Sequence, residues 1–300
     1  MTRFVTLGPS TIDTYYTAAD WPGLGDKAML ADRSLRLGGM IANTAAALGA
    51  AGQSVTHLER IGPNHADEVL SSLDRFGVDT SLVQVSPTAR TCEAFVVRVG
   101  AERTILIDDG GREVLDVTDA VAAALNAADV VVTSPHELRE PALRAAVFAA
   151  HRGGTRIALD VESAGLGDAG LDADSIRNAS FLVINAHAAA AVGLDLRSLA
   201  GSPGAAVAER DVLVTRGADG VDIVGPDSDL HVPAAPATAV DTTGASDTFF
   251  AAYLARRCGG ATPEQAAIFA VAAAGHAIAG IGPRAGADYL STLTSEASHD

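Results

Sequence analysis

The sequence predicts an α/β protein with a doubly wound, mostly parallel sheet and helices on both of its faces. Short runs of β-branched residues alternate with Ala- and Leu-rich stretches along most of the 300 residues. Several strand candidates are continuous apolar runs, which is typical of strands that are covered on both faces. The alternation of strands and helices favours parallel strands joined by right-handed crossovers.

The predicted elements follow one another in a regular order. The strand candidates are Phe4–Leu7, Ser54–Leu58, Val130–Thr133, Arg156–Asp160, Phe181–Ile184, Val212–Thr215 and Val221–Val224. The helix candidates are Ile41–Ala51, Ala66–Phe76, Pro141–Arg152, Asp247–Cys258 and Pro263–Ala279. Pro141 and Pro263 suit a first helical turn, where the missing N–H costs nothing.

Two segments interrupt this alternation. Residues 10–37 are punctuated by Gly and Pro and have few helix signals, and residues 90–108 have the pattern of two strands joined by a turn at Gly100–Glu102. We expect the two segments to pair into a small sheet that stands off the main domain. The chain has no low-complexity linker and no internal repeat, so we predict one domain over residues 1–300 with these two segments inserted in it.

The composition is that of a folded protein with an acidic surface. Hydrophobic residues make up 48% of the chain and charged residues 19%, which argues against intrinsic disorder. Lys and Arg number 21 and Asp and Glu 37, so the net charge is −16. Such a surface repels nucleic-acid phosphates and anionic lipids, so we expect neither nucleic acid nor a membrane as a partner.

The cysteines and the first residues bear on localisation. Cys92 and Cys258 are far apart and have no metal-type spacing, which favours a reducing compartment. The start, MTRFVTLGPSTID, lacks the apolar stretch of a signal peptide, and no apolar run reaches the length of a membrane span. We therefore expect a cytoplasmic protein.

The most informative motif is a polar, small-residue turn that leads into a helix, Asp241-Thr242-Thr243-Gly244-Ala245-Ser246-Asp247. A helix N-terminus offers free N–H groups and a positive dipole end, which suit a phosphate. Asp247 lies in the first turn, where it could accept a proton from a substrate hydroxyl. The alternative is a capped helix in which Asp247 is an ordinary N-terminal acid.

Two further motifs are weaker. In Gly38-Gly39-Met40-Ile41-Ala42-Asn43 a pair of glycines opens a helix and Asn43 lies one turn inside it, so a ligand could approach the backbone and bind the amide. The alternative is a loop–helix junction with a solvent-facing Asn43. Thr215-Arg216-Gly217-Ala218-Asp219-Gly220 lies between two strands, and its alternative is a hairpin turn.

The order and spacing of the three motifs resemble those of the PfkB/ribokinase family of ATP-dependent sugar and nucleoside kinases. The resemblance covers residues 4–285, nearly the whole chain, and the 241–247 motif is its most specific part. It implies a ribokinase-like, Rossmann-like fold with a small β-sheet lid over the sugar site. It also implies ATP-dependent phosphorylation of a hydroxyl on a small sugar or sugar acid, with ATP and Mg²⁺ as cofactors.

The resemblance also assigns roles to residues. Asp247 matches the general base, and the amides of Gly244, Ala245 and Ser246 match the anion hole for the transferred phosphoryl group. The positions that match sugar-binding ones are Asp13, Gly38, Gly39 and Asn43. Those that fall at the nucleotide site are Asn185, Thr215, Gly217, Gly220 and His276, the last of which could equally be a helix residue without a ligand. Asp241 and Thr243 match positions that hold a monovalent cation such as K⁺ in some members.

Three departures from the family pattern concern the site. Ser246 stands where the family usually has Gly, so a side chain is expected beside the phosphates, strained if its φ is positive. The family's Asn-x-x-Glu becomes Asn185-Ala186-His187-Ala188, so the carboxylate associated with Mg²⁺ is absent. The segment after the strand at 130–133 offers no transferable sugar ligand. Asp160 and Glu162 end a neighbouring strand, where either could contact Mg²⁺ through water.

Two cations bear on the charge of the substrate. Lys27 and Arg90 fall in the two lid segments, and in relatives with anionic sugars such residues meet a phosphate or carboxylate. Their alternative is solvated surface charge. Three other readings stay open: a nucleoside kinase of the same family, a non-catalytic sugar- or nucleotide-binding protein on the same fold, and, for assembly, a homodimer formed through the lid.

Overall fold

The computed structural model describes residues 1–100, 102–108, 113–162, 172–193, 195–201, 209–225, 227 and 229–297. The strands are β1 Arg3–Leu7, β2 Thr11–Ala18, β3 Leu30–Gly38, β4 Ser54–Leu58, β5 Arg60–Ile61, β6 Val78–Asp79, β7 Gln84–Val85, β8 Cys92–Val99, β9 Glu102–Asp108, β10 Val130–Thr133, β11 Arg156–Val161, β12 Ala179–Asn185, β13 Asp211–Thr215, β14 Val221–Val224 and β15 Asp229–Val232. The helices are α1 Met40–Ala50, α2 Ala66–Asp74, α3 Asp119–Ala127, α4 Pro141–Arg152, α5 Ala173–Asn178, α6 Ala186–Val192, α7 Leu196–Gly201, α8 Ala245–Cys258, α9 Pro263–Ala279 and α10 Ala285–Ala297.

Nine strands form the large sheet in the order β15-β14-β13-β12-β11-β10-β1-β4-β6. The seven strands β6, β4, β1, β10, β11, β12 and β13 pair with one another in parallel. β14 pairs antiparallel with β13, and β15 pairs antiparallel with β14. Antiparallel strands can be joined by short turns, whereas each parallel pair needs a crossover, which here is a helix in most cases. The predicted doubly wound, mostly parallel fold is confirmed.

Helices cover both faces of the large sheet because its strands alternate apolar side chains between the two. Val130 and Val132 of β10 belong to the apolar cluster formed with α1, α8, α9 and α10. Val131, between them, belongs to the cluster formed with α3, α4, α5 and α6. Each side chain on this central strand is fully buried, which explains the continuous apolar run in the sequence.

The small sheet consists of four strands in the order β3-β2-β8-β9. The segments predicted to form it, 10–37 and 90–108, contain β2, β8, β9 and all of β3 except its last residue, and β8 and β9 pair antiparallel as expected. The Tyr15 hydroxyl on β2 donates to Thr243 Oγ1 at 3.4 Å, so this sheet contacts the loop before α8. The predicted small β-sheet beside the main domain is therefore present.

Predicted boundaries agree with the observed ones to within a few residues, but the sequence analysis missed several elements. The missed helices are α3, α5, α6, α7 and α10, and the missed strands include β15 and the short β5–β7 pair. The five missed helices include two of six residues, too short to display a full helical repeat. Among the described residues, no helix has both the length and the apolarity needed to cross a membrane.

A buried polar network fixes the chain where β1 leaves the large sheet and the small sheet begins. Glu59, directly after β4, accepts hydrogen bonds from Ser10 N at 2.6 Å and Ser10 Oγ at 2.7 Å. His57 Nε2 lies 3.3 Å from the Glu59 carboxylate, and His57 Nδ1 is 2.8 Å from Thr6 Oγ1. Burial raises the pKa of Glu59, but His57 and the Ser10 hydrogen bonds outweigh burial and leave this pKa below its usual value.

We expect Glu59→Gln to lower the free energy of unfolding at pH 7 by about 2–3 kcal/mol, the scale of a hydrogen bond to a buried charged group. Because folding lowers the pKa of Glu59, its contribution is complete above the unfolded-state pKa of about 4.3 and is lost as pH falls through the folded-state pKa. Urea unfolding at several pH values measures this difference. The exposed Glu68→Gln is the control, expected within about 0.5 kcal/mol of wild type. Equal stability of E59Q and wild type at pH 7 would show that the Glu59 network does not stabilise the fold.

Candidate active site

The loop before α8 is held in place by the loop between α9 and α10. Asp241 Oδ1 accepts from the Thr243 amide at 3.0 Å, and Asp241 Oδ2 accepts from the Gly282 amide at 3.0 Å. The amide of Asp241 in turn donates to the Ile278 carbonyl at 3.1 Å. Asp241 and Thr243, the predicted monovalent-cation pair, therefore lie side by side, with their polar atoms at the junction of two loops.

Gly244 is the residue that permits the turn into α8. Its φ of 77° is left-handed, and a Cβ there would overlap the carbonyl oxygen of Pro283. The first bond of the helix runs from the Thr248 amide to the Gly244 carbonyl at 2.9 Å. The amides of Ala245, Ser246 and Asp247 therefore have no partner within the helix, although the Ala245 amide approaches the Thr242 carbonyl at 3.4 Å.

Ser246 fits the start of α8 without backbone strain. Among described non-glycine residues, only Asp32 and His65 have a positive φ. Ser246 is exposed, and its hydroxyl donates to Asp247 Oδ1 at 3.3 Å. The strain that the sequence allowed for at this position is therefore absent from the structure.

Asp247 is 5% exposed and is hydrogen-bonded to a residue of another helix. Asn43 Nδ2 on α1 donates to Asp247 Oδ2 at 2.8 Å. Burial raises the pKa of Asp247 to about 7, helped by the charges of Glu162 and Asp13 and opposed by the hydrogen bonds from Asn43 and Ser246. A carboxylate with a pKa near neutrality suits proton transfer at physiological pH.

Three further predicted sugar-site residues lie on β2 and directly before the start of α1. Asp13 on β2 is 7% exposed and lies against Gly38, where a Cβ would overlap the Asp13 carboxylate. Gly39, with a φ of 97°, leaves no room for a side chain because Pro9 O lies beside it. Glycine is thus required at both positions, because β2 and the β1–β2 loop approach too closely for a side chain.

Asp13 is the second residue in this site whose carboxyl group has a raised pKa. Burial raises the pKa of Asp13 to about 6, against the hydrogen bond from Thr11 and the charge of Arg284. Thr11 Oγ1 donates to Asp13 Oδ1 at 2.6 Å, which leaves Oδ2 to accept from a ligand hydroxyl. Asn43 and Asp247 are hydrogen-bonded to each other, and Asp13 lies near enough for its charge to raise the pKa of Asp247.

A separate cleft of 440 Å³ lies at the carboxyl ends of β12 and β13. Its lining includes three of the predicted nucleotide-site residues, Asn185, Thr215 and Gly217. Asn185 caps α6 by accepting from the Ala188 amide at 2.7 Å. Gly220, the remaining nucleotide-site glycine, does not line this cleft. It has a φ of 96°, and its carbonyl accepts from Arg216 N at 2.8 Å, which closes the turn that contains Gly217.

Three predicted site residues are placed apart from these groups. Lys27 is exposed on the β2–β3 loop and makes no ion pair with a described residue. Arg90 is exposed and forms an ion pair with Asp108 of β9 at 3.0 Å. His276 is exposed on α9, and its ring stacks on Tyr289 of α10 with 3.8 Å between ring centroids.

Arg284 is a site residue that the sequence analysis missed. It follows Gly282-Pro283 in the loop before α10, and Arg284 Nε donates to Asn43 Oδ1 at 3.4 Å. No periodic pattern or motif in the sequence marks this arginine, because its partner is 241 positions away. The only local signal is a Gly-Pro pair, which indicates a turn.

The residues present fit Mg²⁺ bound through nucleotide phosphates and water. No group of three or more His, Cys, Asp or Glu among the described residues could hold a metal on its own. Mg²⁺ commonly keeps several waters and takes one or two carboxylates besides phosphate oxygens. Asp160 Oδ2, at the end of β11, is buried and has no hydrogen-bond donor among the described residues. Burial and the charges of Glu162 and Asp247 raise the pKa of Asp160, which a nearby cation would reverse.

Comparison with known proteins identifies the class. The model of the pfkB family carbohydrate kinases matches residues 1–288. The ribokinase of Bacillus subtilis (strain 168) is 26% identical over 292 residues, covering 95% of this chain and 96% of that protein. The ribokinase of Staphylococcus aureus (strain COL) is 26% identical over 266 residues, covering 85% and 86% of the two chains.

Solved structures show the same fold. Ribokinase from Giardia lamblia matches with a TM-score of 0.82 and 19% identity over 98% of this chain and 99% of that one. Arabidopsis thaliana ribokinase complexed with ribose and ATP matches with a TM-score of 0.76 and 23% identity, covering 97% and 98%. The Burkholderia thailandensis nucleoside kinase in complex with inosine matches with a TM-score of 0.76 and 18% identity, covering 99% and 98%.

The fold and the family match together define a phosphotransferase of the ribokinase-like type. The chain belongs to the pfkB family of carbohydrate kinases. It is accordingly an ATP-dependent carbohydrate kinase, as the resemblance of its three motifs implied.

Gly244→Ala tests whether the start of α8 depends on close packing against Pro283. The substitution places a side chain at a φ of 77° and against the Pro283 carbonyl. We expect it to displace the helix-start amides and to lower kcat by about 10²-fold or more, the scale of losing an anion-hole donor. Kinase assays and thermal unfolding measure the two effects.

Gly77→Ala is the matched control, since Gly77 has a φ of 74° but open space around its Cβ position. It should cost about 1–2 kcal/mol of stability through backbone strain alone and leave kcat unchanged. If the two alanine variants lose the same stability and activity, packing of Gly244 against Pro283 is not what maintains the site.

Proposed function

We propose that the protein transfers the γ-phosphoryl group of ATP to a hydroxyl of a small sugar or sugar acid, with Asp247 as general base. The observation that carries this proposal is the buried Asp247 carboxylate at the start of α8. It is held by Asn43 at 2.8 Å and has a pKa of about 7. The same helix start presents the amides of Ala245 and Ser246, which suit the charge of a transferring phosphoryl group.

The transfer step moves one proton and one phosphoryl group. Asp247 accepts the proton of the sugar hydroxyl, and the oxygen of that hydroxyl forms a bond to the γ-phosphorus. The bond from that phosphorus to the bridging oxygen breaks, and the electron pair leaves with ADP. Gly244, Ala245 and Ser246 form the anion hole that stabilises the negative charge on the γ-phosphoryl oxygens. Asp13, Gly38, Gly39 and Asn43 hold the sugar so that its hydroxyl meets this group.

ATP occupies the cleft at Asn185, Thr215 and Gly217 in this proposal, next to the turn that Gly220 closes. His276 stacks on Tyr289 and does not line this cleft, so it has no part in the proposed nucleotide site. Mg²⁺, when bound, neutralises charge on the β- and γ-phosphates. Asn185 and Asp160, with Glu162 beside it, are the residues that would hold it through water. Asp241 and Thr243 would hold a monovalent cation such as K⁺ next to the anion hole.

The substrate is proposed at the level of class. The two ribokinase relatives favour a neutral pentose, and a neutral sugar needs no cation in the site. Lys27 and Arg90 would bind the carboxylate or phosphate of an anionic sugar. Arg90 would first have to leave Asp108, with which it forms an exposed ion pair that costs little to open. A rise of about tenfold in KM for a sugar acid in Arg90→Ala would support the anionic substrate.

A nucleoside kinase of the same family is the second candidate function, and the likeness to the inosine-bound Burkholderia protein supports it. The non-catalytic binding protein that the Ala188 and Ser246 departures left open is disfavoured by the family match and by the intact Asp247, Asn43 and Gly244. Coupled assays with ATP and a panel of D-ribose, other neutral sugars, sugar acids and inosine separate all three. Binding without turnover on every acceptor would favour the non-catalytic function.

With the best acceptor from that panel, Asp247→Asn should lower kcat by about 10²-fold or more because the amide cannot take the hydroxyl proton. KM for ATP should change little. In the wild type, kcat/KM should rise with pH up to about 7 and level off above it, since the base acts only when deprotonated. Asp119→Asn, an exposed acid in the first turn of α3, is the control and should match wild type. Turnover of D247N within about threefold of wild type would remove Asp247 as the base.

We propose in addition that the small sheet forms a homodimer. β9 is an edge strand whose consecutive Ile105, Leu106 and Ile107 are 44%, 55% and 62% exposed, so apolar side chains emerge on both of its faces. Such a strand needs a partner surface, and a second copy supplies one of the same character.

The double substitution Leu106→Asp and Ile107→Asp should convert a dimer into a monomer because it places charge in the apolar contact. Light scattering coupled to size exclusion measures the mass. Ile268→Asp, on the 53% exposed Ile268 of α9, is the control and should stay dimeric. A monomeric wild type would contradict the proposal.

A further inference from the structure

Arg284 and Asp247 lie on opposite sides of the Asn43 amide. Arg284 Nε donates to Asn43 Oδ1 at 3.4 Å, and Asn43 Nδ2 donates to Asp247 Oδ2 at 2.8 Å. A guanidinium can only donate and an ionised carboxylate can only accept. The amide therefore fits between them in one orientation, with its oxygen toward Arg284 and its nitrogen toward Asp247.

The guanidinium is itself fixed from a third direction. Arg284 Nη1 donates to Ser72 Oγ of α2 at 2.6 Å. Arg284 Nη2 is buried and has no hydrogen-bond acceptor among the described residues. Burial lowers the pKa of Arg284 to about 10, against the attraction of Glu59 and Asp13. A buried donor without an acceptor lowers stability, so an arginine at this position calls for a functional explanation.

Arg284 also belongs to the loop that shapes the anion hole. Gly282, two residues earlier, donates to Asp241, and Pro283 packs against Gly244. The backbone of Arg284 caps α10, since its carbonyl accepts from Asp288 N at 3.1 Å. Substitution of the side chain therefore leaves the backbone role of this residue in place.

We propose that Arg284 is a positioning residue for phosphoryl transfer, which holds the Asn43 amide so that its N–H faces the Asp247 carboxylate. The inference rests on the proposed function of Asp247 as base. It leaves the second Nδ2 hydrogen and one lone pair of Oδ1 on Asn43 for a sugar hydroxyl. It thus fixes both the base and the amide that orients the acceptor.

The electrostatic surroundings define how removal of Arg284 acts. Two hydrogen-bond donors act on Asp247, Asn43 on α1 and Ser246 on the same helix. Three carboxyl groups also face it, those of Asp160 and Glu162 at the end of β11 and of Asp13 on β2. Of these, only Asn43 and Ser246 favour the ionised base. Loss of the Asn43 orientation therefore raises the pH at which the base becomes active.

Arg284 also faces other charges: Glu59 after β4, Asp13 on β2 and Arg75 after α2. Its positive charge lowers the pKa of Asp13, so its removal weakens the ionisation of the sugar-site carboxylate as well. The two effects are separable, because the first changes kcat and the second changes KM for the sugar.

The test uses the full chain with ATP and D-ribose, or the best acceptor of the panel described above. Arg284→Met, which removes charge and donors, should lower kcat by about tenfold or more and move the acid limb of kcat upward by about half a pH unit. KM for ATP should stay within about twofold of wild type. Arg284→Lys keeps the charge and should retain KM for the sugar better than kcat.

Arg75→Met is the matched control, because Arg75 is an exposed neighbour on the same side and pairs with Asp288 instead of Asn43. It should leave kcat and the pH profile unchanged. A double-mutant cycle supplies the decisive comparison. In an Asn43→Ala background, Arg284→Met should cost at most about twofold more, since the residue through which it acts is gone.

Full additivity of the two losses, or a folded R284M with wild-type kcat and pH profile, would overturn the inference. If R284M does not fold, the same cycle is run with Arg284→Lys and with Ser72→Ala, which removes one anchor of the guanidinium. Additive losses there overturn the inference too. Full turnover in D247N would instead contradict the proposed base, whatever Arg284 does, so the two failures are distinguishable.

Discussion

The packing of α1 against α8 is the constraint on which the site depends. Buried alanines on both helices, among them Ala42, Ala45, Ala251 and Ala252, are fully excluded from solvent. Small side chains let two helices approach closely, and the distance between axes follows from the residues at the contact. This approach brings Asn43 within 2.8 Å of Asp247, although the two are 204 positions apart. A bulkier contact would separate Asp247, the proposed base, from the Asn43 amide that donates to it.

The site concentrates negative charge in a chain that is already acidic. Asp13, Asp160 and Asp247 are all at most 7% exposed, and the pKa of each is raised. Such a cluster disfavours ionisation of all its members at once. Arg284 opposes this repulsion at Asp13, and the hydrogen bonds from Asn43 and Ser246 oppose it at Asp247. The perturbed pKa values are therefore a consequence of gathering the proposed base and the proposed sugar ligand in one enclosed place.

Two of the three departures from the family pattern, at Ala188 and Ser246, have different structural meanings. Ala188 is fully buried and packs in the apolar cluster with α3 to α6, so position 188 serves the core in this protein. Its amide donates to the Asn185 side chain, which lines the proposed nucleotide cleft. Ser246, in contrast, is exposed and adds a hydroxyl beside Asp247. The first departure removes a carboxylate from the site, and the second adds a donor to it.

The sequence alone determined the fold class, because the period of apolar residues and the turn residues are local properties. Val130–Thr133 could be assigned as a central strand from its continuous apolar run, and 241–247 as a helix start from its small and polar residues. The roles of Asp13, Asn43 and Asp247 were predicted from the family resemblance, and the structure shows that Asn43 contacts Asp247. Short helices such as α5 could not be predicted, since six residues carry too little periodicity.

Only the tertiary structure decided which side chains meet. Arg90, which the sequence offered as a sugar ligand, pairs with Asp108 in the small sheet, and His276 stacks on Tyr289. Arg284, which the sequence did not mark, contacts Asn43 across 241 positions. The physical reason is that local pattern sets secondary structure, whereas the partner of a long charged side chain depends on which loops the packed helices bring together. That packing is a property of the whole core, and no short segment of the sequence contains it.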